Sequence, residues 1–194
     1  NTELGCAPAL ASTGTAAIEL PSLEPGAYSV LVDGPPSGAV SGRFRLRVTL
    51  TEPVPAPTND TCDSAFELVT SSGSGTVTVQ GDTTRAKNDT LGCDGTGPEL
   101  VYTLQLATAQ HVRALVTPLA GGRLLPTLYL RRENQCTSEL TREQLFCVAA
   151  GQAGFPAQLE VPRLEAGRWY LFVDGKAGTS GAFDLSVELT PPPA

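Results

Sequence analysis

His111 is the only histidine in this chain, and that limits its chemistry at once. A hydroxyl or thiol nucleophile needs a neighbouring base, most often an imidazole. His111 lies between Gln110 and Val112 at the start of an alternating apolar run, and it reads as a strand-end histidine. Glycoside cleavage needs two carboxylates converging on a cleft. Glu160 and Glu165 are near neighbours in sequence, but Glu19 and Glu24 occupy the matching places of an internal repeat. Recurrence within one chain marks a repeat surface, not a unique active site, so the chain is read as a non-enzyme. Hard cations need clustered oxygen ligands. Asn59, Asp60 and Asp63 form one polar turn, and Asp82, Asn88, Asp89 and Asp94 surround another. Their spacing matches no EF-hand loop. Asn59, Asp60, Asp63 and Asp94 are the candidate calcium ligands, with solvated turn acids as the simpler reading and no other cofactor expected. Asp33 and Asp174 each precede a glycine at a strand end, where an aspartate commonly caps its own turn.

The five cysteines, Cys6, Cys62, Cys93, Cys136 and Cys147, contain no CxxC pair, which argues against zinc and for disulfides made in an oxidising compartment. Cys136 and Cys147 flank a short polar loop and are expected to close it. Cys62 and Cys93 then remain for each other. Cys6 is left unpaired, or bonded to another chain.

An internal duplication accounts for the odd cysteine. Cys6–Gly34 aligns without a gap on Cys147–Gly175, at a constant offset of 141. Leu23-Glu24-Pro25-Gly26 matches Leu164-Glu165-Ala166-Gly167, and Val32-Asp33-Gly34 matches Val173-Asp174-Gly175. Ser41-Gly42-Arg43-Phe44 then returns against Ser180-Gly181-Ala182-Phe183. The chain opens at Asn1 without Met, consistent with a processed or excised piece, and the partner expected for Cys6 falls before Asn1.

The elements that position these residues are strands. Period-2 alternation predicts strands over Glu99–Ala107, His111–Thr117, Thr127–Arg131, Ala157–Val161, Gly167–Asp174 and Gly181–Thr190. Weaker signals lie at Phe66–Val69, Thr76–Gln80 and Leu145–Val148, and Thr137–Gln144 has the character of one helical turn. Tyr102, Leu104 and Leu106 share a face, as do Trp169, Leu171 and Val173, and Tyr28, Val30 and Val32 repeat that face in the first copy. The pattern predicts an all-β chain of jelly-roll-like antiparallel β-sandwich repeats, one partial and one complete. Residues 1–50 would be the last four strands of one unit, 51–58 a Pro-rich linker, 59–190 a complete unit, and 191–194 the start of another linker. The half-unit would leave Tyr28, Val30, Leu46 and Val48 without a facing sheet.

Composition agrees. Hydrophobic residues make up 41% and charged residues 17%, enough for a core, while Gly 20 and Pro 16 punctuate short apolar runs. A net charge of −7 argues against nucleic acid and anionic lipid as partners. No apolar stretch is long enough for a membrane-crossing helix. Arg43, Arg45 and Arg47 alternate with Phe44, Leu46 and Val48, whereas the second copy carries Asp184 and Glu188 on the matching face. This basic stripe and acidic stripe are a candidate contact between repeats or chains. Tyr129, Tyr170 and Phe155 are the candidate outward aromatics for a sugar platform.

Residues 59–190 resemble the bacterial pre-peptidase C-terminal family in its tandem form on secreted and surface proteins. The resemblance rests on Asn59-Asp60-Thr61-Cys62, Gly95-Thr96-Gly97-Pro98-Glu99-Leu100-Val101-Tyr102, Thr127-Leu128-Tyr129-Leu130, Ala166-Gly167, Tyr170-Leu171-Phe172-Val173-Asp174-Gly175 and Gly181-Ala182-Phe183. Relatives often follow the late cysteine with an acidic stretch, where this chain has Val148-Ala149-Ala150, which weakens a calcium role for that loop. The resemblance implies a non-catalytic sandwich, secreted or at the bacterial cell surface. Its expected role is structural assembly or adhesion with neighbouring repeats, with strands from a neighbouring chain completing the partial unit. The alternative is an accessory domain holding a secreted protease or other hydrolase on a polysaccharide or protein polymer.

Overall fold

The computed structural model describes residues 3–9, 14–18, 20, 23–34, 41–53, 55–70, 73–119, 123–138 and 144–193. The chain divides into two compact units, Asn1–Val54 and Pro55–Ala194.

Among the described residues nine strands build the second unit: β1 Phe66–Glu67, β2 Gly75–Asp82, β3 Leu100–Leu106, β4 Gln110–Pro118, β5 Pro126–Arg132, β6 Leu145–Ala149, β7 Ala157–Leu164, β8 Gly167–Gly175 and β9 Ala182–Thr190. They form a five-stranded sheet ordered β1-β3-β8-β5-β6 and a four-stranded sheet ordered β2-β9-β4-β7. Every pairing is antiparallel except the short parallel contact of β1 with β3. The fold is an all-β sandwich.

Alternation sets the core. In β9, Phe183, Leu185, Val187 and Leu189 are buried, and the residues between them face outward. Val112, Ala114 and Val116 of β4 and Leu159 and Val161 of β7 continue that inner face. Against it the five-stranded sheet sets Leu100, Tyr102, Leu104, Leu128, Leu130, Trp169, Leu171 and Val173. Burying each large side chain contributes about 1.5–3 kcal/mol.

The two sheets differ on their other faces. The four-stranded sheet keeps a partly solvated outer face. The central strands β3, β5 and β8 are instead buried on both sides, the pattern of a sheet covered twice. The cover is irregular chain: the connection between β2 and β3 and the segment after β5, which starts with a 3-10 turn at Glu133–Gln135.

Disulfides hold that cover down, and their connectivity corrects the expected one. Cys62 bonds Cys136 and Cys93 bonds Cys147, rather than Cys62–Cys93 and Cys136–Cys147. The expectation favoured the shortest loop, but the fold carries Cys93 over the sheet to β6 and brings Cys136 back to Cys62 near β1. The bonds close loops with separations of 74 and 54 residues. On the chain-entropy model each such loop constrains the unfolded state by about 4 kcal/mol.

The first unit departs from expectation more sharply. None of its described residues joins a strand, where the last four strands of a sandwich are expected. Tyr28, Val30, Leu46 and Val48 are exposed. A strand exists only through its ladder, and even an isolated hairpin is marginal in water. Glu19 of the repeat lies outside the described residues. So do residues 139–143 of the expected turn at Thr137–Gln144, and the 3-10 turn that is described precedes that stretch.

Candidate functional site

The residues nominated as calcium ligands are not brought together, and no group of three potential ligands of the His, Cys, Asp or Glu type forms among the described residues. Asn59 runs beside β3, its Nδ2 donating to the Val101 carbonyl at 3.2 Å while its own carbonyl accepts from the Val101 amide. Asp60 accepts from the Lys87 amide at 2.8 Å, and Asp94 pairs with Lys176 at 3.3 Å. Asp63 sits in the 3-10 turn at Cys62–Ser64.

His111 joins a surface trio, with Nε2 3.1 Å from Glu160 and Nδ1 3.3 Å from the Thr190 hydroxyl. Asp184 and Glu188 lie on the outer face of β9, where Asp184 accepts from Gln80 at 2.9 Å and Glu188 stands opposite Arg113 and Thr76. Arg43, Arg45 and Arg47 are exposed in the first unit, and so are Phe44, Leu46 and Val48 between them. Cys6 is a free, exposed thiol.

Two of the three nominated sugar-binding aromatics prove to be interior. Tyr129 and Tyr170 do point away from the sandwich core, but the covering loops bury them; only Phe155 is exposed. Tyr129 stacks on Phe172 at 4.7 Å between centroids, and the Arg131 guanidinium lies over both rings. Arg131 is fully buried and donates to the carbonyls of Cys136 and Leu91. The outer face of the five-stranded sheet is therefore a second, smaller core.

Register organises its polar groups into one row. Thr127 of β5 stands opposite Asp174 of β8, and Glu99, one residue before β3, continues the register of Leu100 with Val173 to reach Asp174 from the other side. All three side chains are buried. Glu99 Oε1 accepts from the Asp89 amide, the Thr90 amide and the Thr90 hydroxyl at 2.7–3.0 Å. Thr90 in turn shares a hydrogen bond with the Tyr129 hydroxyl. By contrast Glu99 Oε2 and Thr127 Oγ1 have no hydrogen-bond partner among the described residues. Burial pushes Glu99 up to about 7 against the hydrogen bonds from Thr90 and Asp89. Burial likewise lifts Asp174 to about 8, with the nearby Glu99 charge adding to the rise and hydrogen bonds from the Gly175 and Gly97 amides opposing it.

Backbone closes over this row because glycine lets it. A Cβ on Gly95 would stand 1.9 Å from Asp174 Oδ2, and one on Gly97 would meet the Thr179 and Gly175 carbonyls at 2.4 and 2.7 Å. The Gly175 and Gly97 amides both hydrogen-bond the Asp174 carboxylate, the first being the contact expected of a turn aspartate. Its counterpart in the first unit makes the same contact: Asp33 Oδ1 accepts from the Gly34 amide at 2.7 Å.

No family model and no curated protein matches the chain. Among solved structures, the pre-peptidase C-terminal domain of a collagenase from Bacillus anthracis is 20% identical, with a TM-score of 0.43, covering 64% of this chain and 94% of its own. The CBM35 module of Cellvibrio japonicus Abf62 is 12% identical with a TM-score of 0.33, covering 52% of this chain and 70% of its own. A Xyl-CBM35 solved with a glucuronic acid-containing disaccharide is 13% identical with a TM-score of 0.34, at the same two coverages. The sandwich described above rests on its own sheets.

Sequence reasoning passed over Glu99 and Thr127 as site residues and read Asp174 as a turn aspartate. The available signal was Thr127, Glu99 and Asp174 at the ends of otherwise apolar strands whose two faces are both hydrophobic.

Proposed function

We propose that this chain is a non-catalytic extracellular β-sandwich module of a bacterial surface assembly, in which strands pass between neighbouring units. Its first unit is the closing half of a sandwich repeat, and a neighbouring copy completes it. The observation that carries this reading is the segment Gly42–Leu50: Phe44, Leu46, Val48 and Leu50 are 53–84% exposed, alternate with arginines, and join no ladder. A segment with strand patterning and no partner suits strand addition to an open edge.

β2 is the edge best suited to receive it. All eight of its residues pair with β9 on one side, and it carries no proline and no charge before Asp82. The opposite edge, β7, contains Pro162 and Arg163, and β6 is bulged. Charges and prolines are the usual protection of an edge, and β2 lacks them. An added Gly42–Leu50 strand would place Phe44, Leu46 and Val48 beside Val77 and Val79, which are only partly buried. Arg43, Arg45 and Arg47 would then lie two strands from Asp184 and Glu188.

Light scattering after size exclusion, across concentration and with or without reductant, tests this. Concentration-dependent oligomers that Arg45→Glu with Arg47→Glu weakens support the proposal, and loss of oligomer on reduction adds a Cys6 bond between chains. A monomer at every concentration rejects it. The alternative is an accessory domain on a polymer, and of the three aromatics nominated for a sugar platform only Phe155 is exposed.

A further inference from the structure

The closing half of the second unit, β6 to β9, contains no strand pair of its own. Among the described residues β6 pairs with β5, β7 with β4, β8 with β3 and β5, and β9 with β2 and β4. Every one of these ladders joins one of β1–β5 to one of β6–β9. The opening half, residues 55–138, has within it only the two-residue contact of β1 with β3. The halves interlock like two combs, and neither holds a sheet without the other.

The first unit repeats the closing half by sequence. Residues 26–34 align with β8 at the offset of 141, and residues 43–51 align with β9 across the shorter loop. β8 and β9 lie in different sheets, each flanked on both sides by opening-half strands. Their counterparts in the first unit therefore have nothing to pair with in each other. Val30, Leu46 and Val48 are more than half exposed, where Leu171, Leu185 and Val187 at the same places are fully buried. Leu31 is exposed too, whereas Phe172 at its place packs in the outer core.

We propose that the first unit is a docking surface for an opening half of the same repeat, a polypeptide of the β1–β5 type that lacks or has released its own closing half. This rests on the reading above only in taking residues 1–54 as a closing half. Edge contact at β2 would pair Gly42–Leu50 on one side, and an opening half pairs it on both. Register in the second unit sets the seats. Leu171 stands between Tyr102 and Leu130, and Leu185 between Val79 and Val116, so Val30 and Leu46 take the same places in the partner. Cys6 aligns with Cys147, whose partner Cys93 belongs to the opening half. The docking polypeptide therefore brings a cysteine at the place of Cys93. Its charge is set as well. Arg45 falls at the place of Asp184, between Gln80 and Thr117, with Arg43 and Arg47 extending the stripe. Acidic side chains at those two flanking places suit the arginines.

The test adds an isotope-labelled probe to dilute full chain in a thiol–disulfide buffer. The probe is a polypeptide of residues 55–138 carrying Gln80→Glu and Thr117→Glu. Capture of one probe per chain is expected, with a gain of strand signal in circular dichroism and a bond from Cys6 to the labelled Cys93. Restoring Gln80 and Thr117 in the probe should weaken capture about fivefold. Leu46→Asp in the chain, an exposed position outside the second unit, should abolish it. A second arm needs no probe. In the full chain, Cys147→Ala with Leu185→Asp expels the native closing half, and Cys93 should then bond Cys6. A Cys6–Cys93 bond in either arm that Leu46→Asp removes upholds the proposal. Absence of that bond in both arms overturns it, as does a Cys6 bond that forms equally with Cys62 or survives Leu46→Asp. A chain that stays monomeric yet captures the probe upholds this partner while rejecting association between copies. A chain that self-associates but forms the bond in neither arm does the reverse.

Discussion

Tyr129 and Phe172 stack face to face, 4.7 Å between centroids and 5° between planes, on the side of the five-stranded sheet that looks away from the sandwich core. They stand opposite one another in the β5–β8 ladder, so the backbone register sets the stack. Arg131 caps both rings. The pair anchors the outer layer as Leu171 and Leu185 anchor the inner one.

Truncating this anchor is expected to cost as much as a change in the main core. Phe172→Ala should destabilise the second unit by about 3–5 kcal/mol. Tyr129→Phe, which keeps the ring and loses only the hydrogen bond with Thr90, should cost about 1 kcal/mol. Urea unfolding followed by Trp169 fluorescence measures both.

The crossed disulfides are directly checkable. Peptide mapping without reduction should recover one species joining the peptides of Cys62 and Cys136 and another joining those of Cys93 and Cys147. Replacing either pair with serine should lower stability by up to about 4 kcal/mol. A peptide linking Cys136 to Cys147 would contradict the structure.

Gly97→Ala is expected to be more damaging than a loop substitution normally is. Its new methyl group meets main-chain carbonyls of Gly175 and Thr179, which have no flexible end to yield. A loss of about 1–3 kcal/mol follows from overpacking. Gly151→Ala, with nothing within 4 Å, is the control and should be near neutral.

High pH should open the fold through its buried phenols. Burial pushes Tyr102 up to about 12, against a hydrogen bond with Asn59, and burial and the Asp174 charge push Tyr129 higher still. The folded state therefore favours the neutral phenol. Its contribution is intact below pH 10 and is lost as pH climbs from about 10 towards 12. Tyr102→Phe should flatten part of that decline in a pH series of melting temperatures.

Much of the sandwich was legible because alternation is a local signal. Phe183, Leu185, Val187 and Leu189 announce both a strand and the face it buries, and the structure uses them so. The second core was less legible. A strand such as β8, Trp169-Tyr170-Leu171-Phe172-Val173, is apolar on both sides, and sequence alone does not say what covers the second side. That depends on where the chain between β2 and β3 travels, which also decides the partners of Cys93 and Cys136. The buried setting of Asp174 was hidden for the same reason. Its row mates, Glu99 and Thr127, are 75 and 47 residues away in sequence and meet it only through the ladders. The four strands expected in residues 1–50 are a different case: the pattern is present, and no ladder pairs it among the described residues.

Because both disulfides tie down the cover and neither crosses the sandwich interior, reduction and unfolding are separate events for this molecule. A reducing environment would leave the two sheets facing each other while the outer layer loosens from its tethers. Tyr129, Tyr170 and Phe172 would then meet water on a molecule whose backbone is still folded. The reduced form should be sticky before it is unstructured. Loss of the protein under mild reductant would thus register first as clumping, with the ladder signal in circular dichroism still in place.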